Sequence, residues 1–115
     1  AELRELFSTG ERLLEQGRCT AVRPILDRVV SLMTVPLVQG TLRYAYMIGE
    51  QPSERSQKNA AEGAVFSAAV LPLVASCNPS AAETVSSHMK FGLYDAGTFP
   101  SFTVVKQALE STYSC

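Results

Sequence analysis

The side chains able to do chemistry in this 115-residue chain are one histidine, three cysteines, eleven carboxylates and ten lysines or arginines. His88 is the sole imidazole and therefore the sole candidate base near neutral pH. No cysteine or carboxylate lies three or four residues from it, and Glu83, five residues earlier, is off helical register. A triad read from spacing is absent, and the expectation is a partly buried or surface histidine on a helix, with no catalytic residues. Carboxylate di-iron sites need Glu-x-x-His pairs on facing helices, and the chain has none. Its acids stand mostly beside basic residues, as solvated faces with local ion pairs do. Cys19, Cys77 and Cys115 form no Cys-x-x-Cys pair, so a zinc knuckle or thioredoxin-type motif is not indicated. The expectation is no metal and no cofactor.

The cations are more suggestive. Arg18 and Arg23 flank a turn near Thr20, and Arg28 follows one helical step later. Charges so placed suit the rim of a docking surface for an acidic partner. The loop from Gly92 to Pro100 (GLYDAGTFP) adds Tyr94 and Phe99, and exposed aromatics are favoured interface anchors. Arg18, Arg23, Arg28, Tyr94 and Phe99 are the candidate docking residues. Nucleic acid is not an expected partner, because the net charge is −1 and the cations are neither dense nor interleaved with aromatics.

What must position these residues is a set of helices. Hydrophobic residues make up 46% and charged residues 18% of the chain, an ordinary balance for one packed domain spanning 1–115. Leu3, Leu6, Phe7, Gly10, Leu13 and Leu14 repeat at spacings of three and four, with Gly17 as the stop. Thr20 is the expected cap of a second helix whose apolar register continues to Ile48, with Pro36 expected to kink or split it. A third segment starts near Ser53. From Gly63 to Ala82 it carries no charge, and Pro72 and Asn78-Pro79 leave it short of a membrane span. It reads as a central helix buried on most sides. Ser80 with Glu83 looks like a capping box for a fourth helix, and Ser101 starts the last, with Phe102, Val105, Leu109 and Tyr113 inward.

The expected fold is all-α: an antiparallel up-down-up-down four-helix bundle with one arm split, either at Pro36 or after Gly92. The first and third connections then share an end. Cys19 and Cys77 lie there, so a Cys19–Cys77 disulfide is expected. The chain opens at Ala1 with charges at Glu2, Arg4 and Glu5, as a processed mature N-terminus does.

The stretch FSAAVLPLVASCNPSAAETV, the GLYDAGTFPSF loop and the closing VVKQALESTY resemble a group of algal secreted or plastid-lumen helical proteins. One branch is the extra extrinsic protein of diatom photosystem II; a more distant one is the low-iron-inducible periplasmic iron-assimilation proteins of algae. The resemblance covers roughly the last 55 residues best, and none of its strings is a diagnostic motif. The first branch implies a non-enzymatic bundle, without a cofactor, bound peripherally in the thylakoid lumen. Its partners would be photosystem II lumenal subunits and other extrinsic proteins, and it would shield the oxygen-evolving centre. The second implies iron capture by carboxylates or tyrosines. Neither branch transfers catalytic or docking residues to numbered positions here.

Overall fold

The computed structural model describes residues Ala1–Cys115 and contains no strand. Five α-helices follow one another: α1 (Glu2–Glu15), α2 (Cys19–Glu50), α3 (Gln57–Cys77), α4 (Pro79–Met89) and α5 (Phe102–Glu110). A short 3-10 turn, Pro52–Glu54, precedes α3. The chain divides into two compact units, Ala1–Val35 and Pro36–Cys115. The boundary falls at Pro36, yet α2 is unbroken there and runs for 32 residues, about 48 Å at 1.5 Å per residue. Pro36 removes one N–H from the ladder without dividing the helix.

Local chemistry sets most helix ends. α1 ends where Gly17 adopts φ +68. The Gly17 N–H donates to the Leu14 carbonyl and the Arg18 N–H to that of Leu13, both at 2.9 Å. This is the Schellman closure, which places the residue after the C-cap in the left-handed region that glycine tolerates. α3 starts later than expected, because Ser56 rather than Ser53 is the cap: its Oγ accepts from the Asn59 N–H at 3.1 Å. At α4 the capping-box reading fails. Asn78 closes α3 by donating its N–H to the Val74 carbonyl at 2.8 Å. Its Oδ1 then opens α4 by accepting from the Ala81 N–H at 3.1 Å. With Pro79 at the first helical position, one Asn-Pro step serves both helices, and no second cap at Ser80 is required. Ser101 caps α5 as expected, accepting from Val104.

The core lies in the second unit. Ala45 of α2, Val70 and Val74 of α3, Ala81, Val85 and Met89 of α4, and Val105 and Leu109 of α5 form one buried cluster. Neighbours run in opposite directions. Gly40 faces Phe66, whereas Gly63 faces Tyr44, so α2 and α3 pass one another head to tail. A Cβ on Gly63 would come within 2.8 Å of Tyr44 Cβ and 3.0 Å of Met89 Cε. That glycine therefore sets how closely three helices approach. α4 and α5 are tied at both ends, by Ser101 to His88 and by Asn78 to Ser111. They are two opposed helices, not the two halves of one divided arm, and neither candidate break splits an arm.

α3 differs from the sequence expectation. Gly63, Ala64, Ser67, Val70 and Val74 are buried along one stripe. On the opposite side Val65 is 57% and Leu73 41% exposed. The helix is long and apolar enough to cross a membrane by length and composition, and only 28% of its apolar window is buried. The uncharged run by itself predicts burial on most sides. The other side is left outward because the neighbouring helices α2 and α4 pack against a single stripe.

The cysteine pairing is also corrected. Cys77 is bridged to Cys115 with Cα atoms 5.9 Å apart, and Cys19 is free and exposed. α5 returns antiparallel along α4 and delivers the chain end to the α3–α4 turn. Cys19 belongs to the first unit, at the start of α2. On the loop-entropy model a closure over 38 residues constrains the unfolded chain by about 4 kcal/mol.

Candidate docking surfaces and the single histidine

The first unit is a helical hairpin whose turn at Gln16–Arg18 presents cations. Arg28 is taken up within the unit: its Nε donates to Glu2 Oε1 at 2.8 Å, with Nη2 at the same distance. That hydrogen bond, reinforced by the carboxylate charge, raises the guanidinium pKa above its ordinary value. Arg23 pairs with Asp27 at 3.4 Å, one helical turn on, with both side chains exposed. Exposed pairs of this kind are worth little, but they leave less free charge for a partner. Arg18 forms no ion pair and stands on the rigid Schellman turn. Of the three expected docking cations, only it is uncommitted.

The hairpin has little interior. Val29 is its one buried hydrophobic residue, joined by Gly10 at the helix crossing. An open groove of about 680 Å³ runs between the helices, its apolar lining including Phe7, Leu14, Ile25 and Leu26, with Arg4, Glu11 and Glu15 also bordering it. Phe7 is 60% exposed, Leu14 56%, Met33 53% and Leu26 51%. Five acidic residues (Glu2, Glu5, Glu11, Glu15, Asp27) balance five arginines (Arg4, Arg12, Arg18, Arg23, Arg28) over 1–35. This apolar face is carried by the stripe already visible in the sequence, where periodicity pointed to a helix facing a core.

Tyr94 and Phe99 sit on the second unit. The chain from Phe91 to Gly97 forms successive turns and closes at Gly97, φ +73. There the Gly97 N–H reaches the Tyr94 carbonyl and the Thr98 N–H that of Leu93. Phe99 lies beneath Arg55, whose Cζ is 4.0 Å from the ring centroid, and 6.0 Å from the Tyr94 ring. Arg55 also donates to the last carbonyls of α2, Nε to Ile48 at 2.8 Å and Nη2 to Gly49 at 2.9 Å. The loop therefore folds onto an end of the second unit. Phe99 remains 39% exposed, so the aromatic pair is pinned but still partly on the surface. The role of Arg55 in closing α2 depends on a turn of the chain that spacing does not encode.

His88 is structural in position. Its Nδ1 accepts the backbone N–H of Ser101 at 3.1 Å, which assigns the ring proton to Nε2 in the neutral form. The cavity beside it, lined also by Tyr44, Asn59, Tyr94 and Thr98, is about 20 Å³, room for about one water. Nearby, Tyr44 donates its hydroxyl to Glu62, while Lys58 approaches the same carboxylate at 3.9 Å. The hydrogen bond to Glu62 is the largest cause raising the Tyr44 pKa, followed by burial. A proton leaving the phenol would put two negative charges together. No three His, Cys, Asp or Glu side chains converge as a metal site would require. Comparison with known proteins assigns the chain to no family: no family model, curated protein or solved structure matches it.

Proposed function

We propose that the chain is a non-catalytic extrinsic subunit that docks on the lumenal side of photosystem II and acts as a rigid cover over the oxygen-evolving centre. The assignment to that complex comes from the resemblance of FSAAVLPLVASCNPSAAETV, GLYDAGTFPSF and VVKQALESTY. The observation that carries the docking reading is Arg18, unpaired and held outward on the fixed turn at Gly17. A cation on a pre-ordered turn meets an acidic surface with little loss of conformational freedom. Partly exposed Phe99 and Tyr94 offer a second contact, already ordered by Arg55. The Cys77–Cys115 bridge is in keeping with an oxidising compartment such as the lumen. In this reading the Pro36–Cys115 unit is an up-down-up-down bundle of the second half of α2, α3, α4 and α5, and its stiffness is what makes it a cover. It binds peripherally.

The test is rebinding of the purified protein to photosynthetic membranes stripped of extrinsic proteins, with oxygen evolution as readout. Rebinding is expected to restore activity, to weaken in high salt because rim charges are screened, and to weaken similarly with Arg18→Glu. Rebinding indifferent to both salt and Arg18→Glu would refute the charge-led account. Failure to rebind at all would refute the photosystem assignment.

A further inference from the structure

We infer that the corner between α4 and α5 is a proton-operated latch: neutral His88 holds it closed, and a proton on the ring releases Ser101 and the first turn of α5. The closing contact runs from the Ser101 N–H to His88 Nδ1 at 3.1 Å. Nδ1 accepts only while it carries no proton. Once protonated, it is a donor facing a donor, and the closed geometry loses its bond. Imidazole is the side chain whose charge changes between pH 5 and 8. More than one bond depends on the contact. Ser101 is the cap of α5, its Oγ accepting from the Val104 N–H at 3.4 Å and its carbonyl from the Val105 N–H at 3.0 Å. Val105 is fully buried in the core cluster. One residue earlier, the Pro100 carbonyl packs directly on Gly49 of α2 and leaves no room there for a Cβ. The backbone held by His88 is therefore where α2, α4 and α5 meet.

The surroundings of the ring set two influences against each other. His88 stands in the last turn of α4, where unpaired carbonyls favour a positive charge. The contact with Ser101 requires the neutral ring. Of the groups lining the shared cavity, α2 contributes the Tyr44 phenol, α3 contributes nothing titratable, and the chain after α4 contributes Lys90 and Tyr94. Phenols carry no charge near neutral pH, so Lys90 is the one charged group of the lining, and it repels an imidazolium. The carboxylates farther out are committed or remote. Glu62 is held by Tyr44 and Lys58, Asp95 accepts from Gln57, and Glu83 is five residues back along α4. Arg55, the other nearby cation, lies over Phe99. The closed corner thus offers a protonated Nδ1 no acceptor, and moving the Ser101 backbone away is what accommodates the charge.

The experiment is amide hydrogen exchange by NMR on the full chain, from about pH 8 to about pH 5.5, a range above ordinary carboxylate titration. Rates are referred at each pH to those of unstructured peptide, and the His88 ring protons are followed in the same samples. Protection of the Ser101, Val104 and Val105 amides is expected to fall about tenfold, the weight of about one hydrogen bond. The fall should share its midpoint with the ring. In His88→Asn the side-chain Oδ1 can stand where Nδ1 does and takes up no proton, so protection is expected to stay level across the range. Protection that stays constant while the ring titrates would overturn the inference, because the ring would then turn aside without opening the corner. So would a fall whose midpoint differs from that of the ring, or one of equal size in His88→Asn, since either places the titrating group elsewhere. The natural chain alone supplies the first two tests, even if the variant fails to fold. All are made on the free protein and do not depend on whether stripped membranes rebind it.

Discussion

Breaking the Cys77–Cys115 bridge is the perturbation whose size follows most directly from the structure. The bond closes 38 residues, and the chain-entropy relation gives about 4 kcal/mol for a loop of that length. Both ends are already positioned by other contacts. Asn78 Nδ2 reaches Ser111 Oγ at 3.3 Å, and Thr112 Oγ1 donates to the Leu109 carbonyl. The native geometry therefore survives reduction, and the loss falls on the freedom of the unfolded chain. With a urea dependence of about 1.5 kcal/mol per molar for a unit of this size, Cys115→Ser should lower the midpoint by roughly 2–3 M. Far-UV circular dichroism is the suitable probe, since the chain has no tryptophan. Cys19→Ser should leave the midpoint unchanged and leave no thiol titratable in denaturant, whereas Cys115→Ser should leave two. A midpoint unmoved by Cys115→Ser, or a bridge found at Cys19 by peptide mapping, would refute the pairing and the antiparallel return of α5.

Two further outcomes follow from the interior. The Tyr44 phenol has its pKa raised in the folded chain by its hydrogen bond to Glu62. The stability this contributes is fully present below the unfolded value of about 10 and is lost as pH rises toward the folded value. Alkaline unfolding followed by tyrosinate absorbance should therefore be less steep in Tyr44→Phe; an identical pH profile would exclude the Glu62 contact. Gly63→Ala places a methyl 2.8 Å from Tyr44 Cβ, and overpacking of this kind costs about 1–3 kcal/mol. Thermal melting should show that loss, and a melt at or above the natural one would mean that the helices separate freely there.

The candidate docking residues are legible in the sequence only as residue types. Arg18, Arg23 and Arg28 look equivalent along the chain, yet Glu2 takes Arg28 and Asp27 takes Arg23. The Asp27 partner, four residues on, is a local rule visible in advance. The Glu2 partner, 26 residues away, is set by the hairpin. In the sequence His88 is a helix histidine without catalytic neighbours at helical spacing. That it holds the first N–H of the Ser101 cap is a contact across 13 residues of irregular chain. Tyr94 and Phe99 are legible only as aromatics of an irregular loop. Arg55 settles them by lying over Phe99.

By itself the sequence determined that the chain is helical and where most helices end. Gly17, the Asn78-Pro79 step and Ser101 act on the three or four nearest peptide groups, so their effect is carried by residue type and order. Tertiary structure decided which cysteine Cys77 meets, that Pro36 marks a boundary between units without breaking α2, and that only one stripe of α3 is buried. These depend on which distant surfaces come together. An apolar period of 3.6 residues says that a helix has a face to cover, whereas the identity of what covers it is a property of the folded chain and its neighbours.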